Sequence, residues 1–104
     1  RVEGHTDDVP MGKKANFANN WELSVARATN VGVFMIEKNG YDPNLISITG
    51  HADTRPRTSY TNDSGKRKQG SVLRQARHAN RRVDLIFARP AASEQIRRFF
   101  PEQE

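Results

Sequence analysis

Strand-like and helix-like segments alternate along this chain of 104 residues, and their order restricts the possible folds more than any other feature. Residues 2–6 are predicted as a short strand that ends in a polar cluster, and residues 45–49 are rich in β-favouring residues. Residues 82–88 alternate apolar and polar side chains. Apolar residues recur at helical spacing between residues 20 and 38, and a second helix is expected over residues 72–79. This β-α-β-α-β order predicts a sheet backed by helices.

Polar residues define the two ends of the first predicted helix. Asn19 is a candidate N-cap, and Glu22 follows it three residues later, as in a capping box. Asn39 and Gly40 are typical of a helix C-terminus, where glycine readily adopts the left-handed conformation. These signals predict that the helix fills the segment between the two pairs.

Two further segments are predicted from weaker patterns. Residues 54–71 are polar and show no apolar periodicity, so we expect a loop there. Pro90 should end the third strand, and the spacing of apolar residues in 93–100 predicts a short terminal helix. We therefore divide the chain into a domain over residues 1–90 and a C-terminal helical tail over residues 91–104.

Length and composition exclude several classes of protein. A chain of 104 residues is expected to form one domain, and it contains no apolar run of the roughly 18 to 20 residues that a membrane span requires. The opening residues Arg-Val-Glu-Gly-His resemble the middle of a strand rather than a signal peptide, which predicts an excised fragment. The absence of cysteine excludes disulfides and thiolate metal sites.

The net charge of +5 is concentrated in the second half of the chain. Residues 1–50 hold five basic against six acidic residues, whereas residues 51–104 hold twelve against six. Such a bias suggests either an anionic partner or a solvated basic surface. Nucleic acid is one such partner, but aromatic residues do not interleave with the basic cluster, so no nucleic-acid partner is expected; the cluster comprises Lys66, Arg67, Lys68, Arg74, Arg77, Arg81 and Arg82.

Two similar tetrapeptides, Gly-His-Thr-Asp at 4–7 and Gly-His-Ala-Asp at 50–53, lie at predicted strand ends. Open α/β sheets tend to present ligand-binding groups at such positions. One interpretation is a metal-dependent hydrolase, because histidine and carboxylate ligands can hold a metal that activates water. The other is that these residues support tight turns and cap backbone N–H groups. The candidate metal ligands would be His5, Asp7, Asp8, His51 and Asp53.

A third hypothesis starts from Asp7 and Arg27. A carboxylate and a guanidinium held close together can recognise a zwitterionic amino acid, because one binds the ammonium and the other grips the carboxylate. Arg27 lies about two turns into the predicted helix, so it can point back toward the strand end that carries Asp7. Taken alone, Asp7 is as well explained as a turn cap and Arg27 as an exposed helix arginine.

Four motifs occur in a familiar order. They are Val-Glu-Gly-His-Thr-Asp-Asp-Val-Pro at 2–10, Asn-Trp-Glu-Leu-Ser-Val-Ala-Arg-Ala at 20–28, Gly-His-Ala-Asp-Thr-Arg-Pro at 50–56 and Ala-Asn-Arg-Arg-Val-Asp at 79–84. This ordered set resembles the OmpA-like peptidoglycan-binding domain, in the form carried by flagellar stator proteins of the MotB/PomB type.

The resemblance implies an α/β fold (an α+β sandwich) with a β-α-β-α-β core, whose helices pack on one face of a mixed sheet. The family's usual N-terminal strand and helix are missing ahead of residue 2. The resemblance also implies a non-catalytic domain that binds the diaminopimelate of the peptidoglycan stem peptide without metal or cofactor. Asp7 and Arg27 would hold the diaminopimelate, Arg82 and its neighbour Arg81 would lie close by, Asn80 would shape the site, and Thr6, Leu23 and Ala26 would form its walls.

A stator assignment would make this chain the periplasmic domain of an inner-membrane protein in a Gram-negative bacterium. It would anchor the motor to the cell wall as a homodimer, with a MotA/PomA-type partner subunit in the full-length protein. An outer-membrane tether of the OmpA or Pal type is the alternative. The basic segment 64–77 is longer than is usual in the family, and a solvated loop explains it better than contacts with anionic wall polymers do.

Overall fold

The computed structural model describes residues 1–88 and 94–101, which form two α-helices and four strands. Neither helix in this part of the chain is both long and apolar enough to cross a membrane. The predicted α+β architecture, with helices packed against a mixed sheet, is confirmed. In chain order the elements are β1 (Val2–His5), α1 (Asn20–Asn39), a 3₁₀ turn (Pro43–Leu45), β2 (Ile48–Gly50), α2 (Gly70–Asn80), β3 (Arg82–Ala88) and β4 (Glu94–Pro101).

The sheet has the strand order β2-β1-β3-β4, so β1 lies between two hydrogen-bonded neighbours. It pairs in parallel with β2, with Gly4 opposite Gly50. It pairs antiparallel with β3, with His5 opposite Arg82. The C-terminal end of β1 therefore meets the end of β2 and the beginning of β3, and this corner holds the candidate site.

Helix α1 has the capping residues that the sequence predicts. The N–H of Glu22 donates a 2.9 Å hydrogen bond to the side chain of Asn19, which satisfies one of the free donors of the first turn. At the other end, Gly40 has a φ of 69° and its N–H donates to the carbonyl of Met35. A residue with a Cβ atom would be strained at this left-handed position.

Two glycines allow α1 to approach the sheet closely. A Cβ atom added to Gly4 would lie 2.0 Å from the carbonyl oxygen of Ser24, and one added to Gly50 would lie 2.8 Å from the N atom of Val25. Both contacts are to helix backbone, so the first turns of α1 lie directly on β1 and β2. The core beneath consists of Val2, Ala28, Met35, Val83 and Leu85.

The C-terminal helix predicted over residues 93–100 is wrong where the structure describes this segment, because residues 94–101 form strand β4 antiparallel to β3. Its apolar spacing fits a helix in isolation, but β3 offers an open edge of backbone donors and acceptors on which the returning chain forms a ladder. The register shifts by one residue between Val83 and Asp84, a bulge that interrupts any simple period of two. Residues 89–93 and 102–104, with the predicted break at Pro90 and the domain boundary, lie outside the described residues.

Smaller differences concern β2 and the polar loop. Residues 45–49 are predicted as a strand, but the 3₁₀ turn takes Leu45 and β2 begins at Ile48. Asp42 accounts for this, because its side chain accepts a 2.9 Å hydrogen bond from the N–H of Asn44 and caps the turn. The predicted loop has local order, since Thr61 and Arg67 form an antiparallel bridge.

Candidate functional site

The candidate site begins where β1 ends. The N–H of Thr6 donates a 2.8 Å hydrogen bond to the carbonyl of Ala52, so this strand end remains tied to the segment that follows β2. The next residue, Asp7, turns the chain, because its Oδ1 accepts a 2.9 Å hydrogen bond from the N–H of Val9. The side chain of Asn20, at the start of α1, donates a 3.1 Å hydrogen bond to the carbonyl of Val9.

Asp7 forms an ion pair with Arg81. Arg81 Nη1 donates a 2.7 Å hydrogen bond to Asp7 Oδ2, so both carboxylate oxygens of Asp7 are engaged. The side chain of Asp7 is only 12% exposed, whereas that of Arg81 is 26% exposed. Arg81 lies between α2 and β3, and the antiparallel pairing of β3 with β1 brings it to Asp7. The pair is thus a buried acid covered by a partly accessible guanidinium.

Asp8, the neighbouring acid, links two more basic residues to the same corner. Its Oδ1 accepts a 2.9 Å hydrogen bond from Arg77 Nε, and its Oδ2 pairs with Arg67. Burial by itself raises the pKa of the Asp8 carboxyl, but the hydrogen bonds and charges of the two arginines outweigh it and lower the pKa below the usual 3.8. Asp8 therefore ties the polar loop and α2 to the end of β1.

This pKa shift predicts an acid-dependent contribution to stability. A carboxyl whose pKa is lower in the folded than in the unfolded state stabilises the fold above its unfolded pKa, and that stabilisation is lost as the pH falls through the folded pKa. We expect Asp8→Asn to lower the free energy of unfolding by about 1 kcal/mol at pH 7, because the ion pairs are partly exposed. In thermal melts at pH 7 the variant should have a lower melting temperature than the wild type, and this difference should disappear below pH 4. Asp63→Asn, at an exposed acid of the loop, is the matched control; a difference that persists unchanged at low pH would contradict this role.

Residues of α1 form the other side of the corner. Leu23, Ser24 and Arg27 are buried, and Ala26 is half-buried. Ser24 Oγ accepts a 3.0 Å hydrogen bond from the N–H of Ala52, which connects this helix face to the segment after β2. Arg27 lies one turn beyond Leu23 on the same buried side.

The Asn-Arg-Arg run directs its three side chains to different places. The side-chain amide of Asn80 makes two 2.8 Å hydrogen bonds with the backbone of Thr58, one donated and one accepted. The guanidinium of Arg82 is buried and donates to Asp84 Oδ2 at 3.2 Å and to the carbonyl of Arg55 at 3.1 Å. Arg81, between them, is the member of the run that contacts Asp7.

The five-residue metal cluster of the hydrolase hypothesis is not assembled in the described part of the chain. His5 and His51 do come together, with ring centroids 5.0 Å apart. Asp7 and Asp8, however, are taken by arginines, and Asp53 is exposed. That grouping is therefore wrong for residues 1–88, and the acid beside the two histidines is Glu3, which the prediction left out.

The sequence suggested Asp8 as a metal ligand and Arg67 and Arg77 as members of a basic cluster, but it did not predict that the three would pair. Their shared signal was the adjacent acids Asp7 and Asp8, facing an excess of arginine in the second half of the chain. The partners of Asp8 are separated from it by 59 and 69 residues, so local patterns could not connect them. Glu3 could have been found from its spacing of two to His5, which places both side chains on one face of a strand.

The model of the OmpA family matches residues 1–70, a stretch that includes β1, the loop after it, α1 and β2. The chain belongs to the OmpA family. This confirms the resemblance, since three of its four motifs lie within the match, and it places Asp7 and Arg27 within the matched part of this OmpA-family domain.

Two curated relatives extend the comparison. The chain is 32% identical over 93 residues to Motility protein B of Bacillus subtilis (strain 168), a match covering 89% of this chain. It is also 32% identical over 88 residues, 84% of its length, to a protein of the same strain described as uncharacterized protein YtxE. In each case the matched stretch is 31% of the relative, so this OmpA-family chain spans less than a third of either protein.

Proposed function

We propose that this domain binds the stem peptide of peptidoglycan at the corner formed by Asp7, Arg81 and the buried face of α1. The observation that carries the proposal is the Asp7–Arg81 ion pair, 2.7 Å long, in a member of the OmpA family. Arg27, on the buried side of α1, would supply a second guanidinium.

Diaminopimelate matches the chemistry of this corner. The free end of its side chain carries an ammonium and a carboxylate on one carbon, so it presents both charges together. Asp7 would accept hydrogen bonds from the ammonium, while a guanidinium would bind the carboxylate as a fork. Arg81 is the more accessible partner of Asp7, so it can turn toward the ligand without unfolding β3.

Binding without cleavage is the activity we assign. Each carboxylate of the corner is engaged by an arginine, Asp7 by Arg81 and Asp8 by Arg77 and Arg67. A hydrolytic site would need a carboxylate or metal free to activate water near the scissile bond. A tether needs only a stable and selective contact, which the ion-paired corner can provide.

The similarity to Motility protein B supports a narrower proposal for the whole protein. We infer that this chain is the wall-binding part of a longer protein, which holds a flagellar stator to peptidoglycan in the periplasm. The whole protein would be anchored in the inner membrane, form a homodimer and assemble with a MotA/PomA-type subunit. The chain spans 31% of that relative.

Cosedimentation with purified sacculi tests the binding proposal. We expect the domain to pellet with diaminopimelate-type peptidoglycan and to be released by free diaminopimelate. Lysine-type peptidoglycan is the matched control, because lysine retains the ammonium but lacks the second carboxylate. Its binding should be at least tenfold weaker, since the charge-assisted hydrogen bonds between a guanidinium of the corner and the second carboxylate could not form.

Equal pelleting with both peptidoglycans, or no release by free diaminopimelate, would contradict the proposed recognition. Ionic strength distinguishes the corner from the basic loop. Doubling the salt should weaken binding only moderately if partly buried pairs dominate. A steep loss would indicate that the basic residues of the loop, Lys66, Arg67 and Lys68, provide most of the binding.

A further inference from the structure

A second cluster of chemically capable side chains lies on the face of the sheet opposite α1. Gly4 faces the helix, so Glu3 and His5 on either side of it face away. The parallel register, with Gly4 opposite Gly50, then places His51 beside His5. The two imidazole rings are stacked with an interplanar angle of 23°.

The donor atoms of this cluster converge. One ligand atom from each of Glu3, His5 and His51 lies within 4.8 Å of the other two. His51 Nε2 is 3.2 Å from Glu3 Oε1. No other group of three such residues in the described part of the chain meets this condition.

His5 is buried and His51 is partly buried, and both lack hydrogen bonds that enclosed imidazoles normally have. His5 is only 3% exposed, yet neither of its ring nitrogens has a hydrogen-bond partner among the described residues, nor does Nε2 of His51. Their approaches to Glu3 and Asp84 are close in distance but lack hydrogen-bond geometry. Native proteins rarely leave buried polar atoms unsatisfied, so this cluster points to a missing partner.

We propose that Glu3, His5 and His51 bind a divalent transition-metal ion, for which Zn²⁺ is the best match. Two imidazole nitrogens and one carboxylate oxygen form a donor set that zinc takes readily. Zinc–ligand bonds are about 2.0–2.2 Å long, so the three donors would have to draw closer together around the ion. The side chains of Glu3 and His51 are each 12% exposed, which gives the ion a route from solvent.

Neighbouring residues are placed to orient these ligands. Asp84 Oδ2 lies 3.4 Å from His5 Nε2, so a small rotation of the ring on metal binding would let this carboxylate accept the N–H of that nitrogen. Such a hydrogen bond fixes the tautomer that leaves the other nitrogen free to bind metal. Arg1 Nε contacts Glu3 Oε2 at 2.6 Å, so the opposite oxygen, Oε1, is the one turned toward His51. The metal site uses neither Asp7 nor Arg81, so it is independent of the proposed peptidoglycan corner.

Metal binding can be measured on the whole chain, without a polyhistidine tag and after removal of metal by a chelator. Zn²⁺ is titrated in competition with a chromophoric chelator, and Co²⁺ is used as a spectroscopic substitute whose visible absorption reports its ligands. We expect one equivalent to bind and the melting temperature to rise. Loss of an outer-shell partner typically lowers metal affinity by about 10- to 100-fold, so His51→Gln, which removes a ligand, should lower it by more than about 100-fold.

The third histidine of the chain supplies the matched control. His78 is exposed on α2, and His78→Gln should bind one equivalent with unchanged affinity. Glu3→Gln preserves the size of the side chain and should weaken binding at least tenfold, which provides a second variant should His51→Gln unfold. The absence of stoichiometric binding by the wild type, or wild-type affinity in both ligand variants, would overturn the proposal. Asp7→Asn should retain zinc binding, so failure of the peptidoglycan proposal would leave this result unaffected.

Discussion

Asp7→Asn is expected to weaken retention on peptidoglycan by at least tenfold while the domain stays folded. Asparagine has nearly the same size and keeps an oxygen for the N–H of Val9, but it cannot pair with the ligand ammonium or with Arg81. Hydrogen bonds to charged groups contribute roughly 1.5–3 kcal/mol, so affinity should fall by about 10- to 150-fold. Cosedimentation over a range of sacculus concentrations measures this change, with circular dichroism as the check on folding.

The chain contains a natural control for this substitution. Asp53 occupies the same place in the second Gly-His-x-Asp tetrapeptide, but its side chain is exposed. Asp53→Asn should bind like the wild type. Arg27→Lys keeps the positive charge but loses the fork geometry, so it should weaken binding as Asp7→Asn does. If both Asp7→Asn and Arg27→Lys bind peptidoglycan as the wild type does, the binding site does not lie at this corner.

Gly4→Ala should produce the largest loss of stability. The added Cβ would lie 2.0 Å from the carbonyl oxygen and 2.9 Å from the carbonyl carbon of Ser24. Both are backbone atoms of α1, so the clash can be relieved only by lifting the helix from the sheet. Overpacking typically costs about 1–3 kcal/mol when side chains can adjust, and we expect at least the upper value here. For a domain of this size the melting temperature should fall by more than roughly 12 °C.

Gly12→Ala is the matched control for this experiment. A Cβ atom at Gly12 would have no atom within 4 Å, so its effect should stay within about 0.5 kcal/mol. Thermal or denaturant unfolding of the two variants beside the wild type gives the comparison directly. If Gly4→Ala melts within a few degrees of Gly12→Ala, the close approach of α1 to β1 is incorrect.

Local features of the fold could be predicted from the sequence, because short-range chemistry determines them. The bounds of α1 follow from Asn19 and Gly40, whose side-chain acceptor and left-handed backbone act within one turn. Strand β3 was predicted at 82–88, where it is found. The prediction failed at β4, because an apolar pattern over 94–101 cannot reveal that the free edge of β3 is available to the chain.

The same distinction applies to the candidate site. Asp7 was placed at a strand end from its own neighbourhood, and the structure puts it there. Which arginine of the Asn-Arg-Arg run reaches it depends on the register between β1 and β3, a tertiary property. With His5 opposite Arg82, the guanidinium of Arg82 is directed to Asp84, and Arg81 meets Asp7. The family resemblance suggested that both Arg81 and Arg82 lie close to the ligand, but in the structure only Arg81 pairs with Asp7, whereas Arg82 pairs with Asp84.

The position of β1 also determines how the domain would carry mechanical load. Arg1 precedes this strand and Asp7 lies just beyond its other end, so tension between Arg1 and a ligand held at Asp7 acts along the strand axis. The ladder bonds to β3 are perpendicular to that axis and those to β2 cross it at a slant, so the bonds on both sides of β1 would be sheared together. A strand at the edge of a sheet could instead be peeled away one bond at a time. Pulled in this direction, the domain should resist rupture far better than its thermal stability alone would suggest.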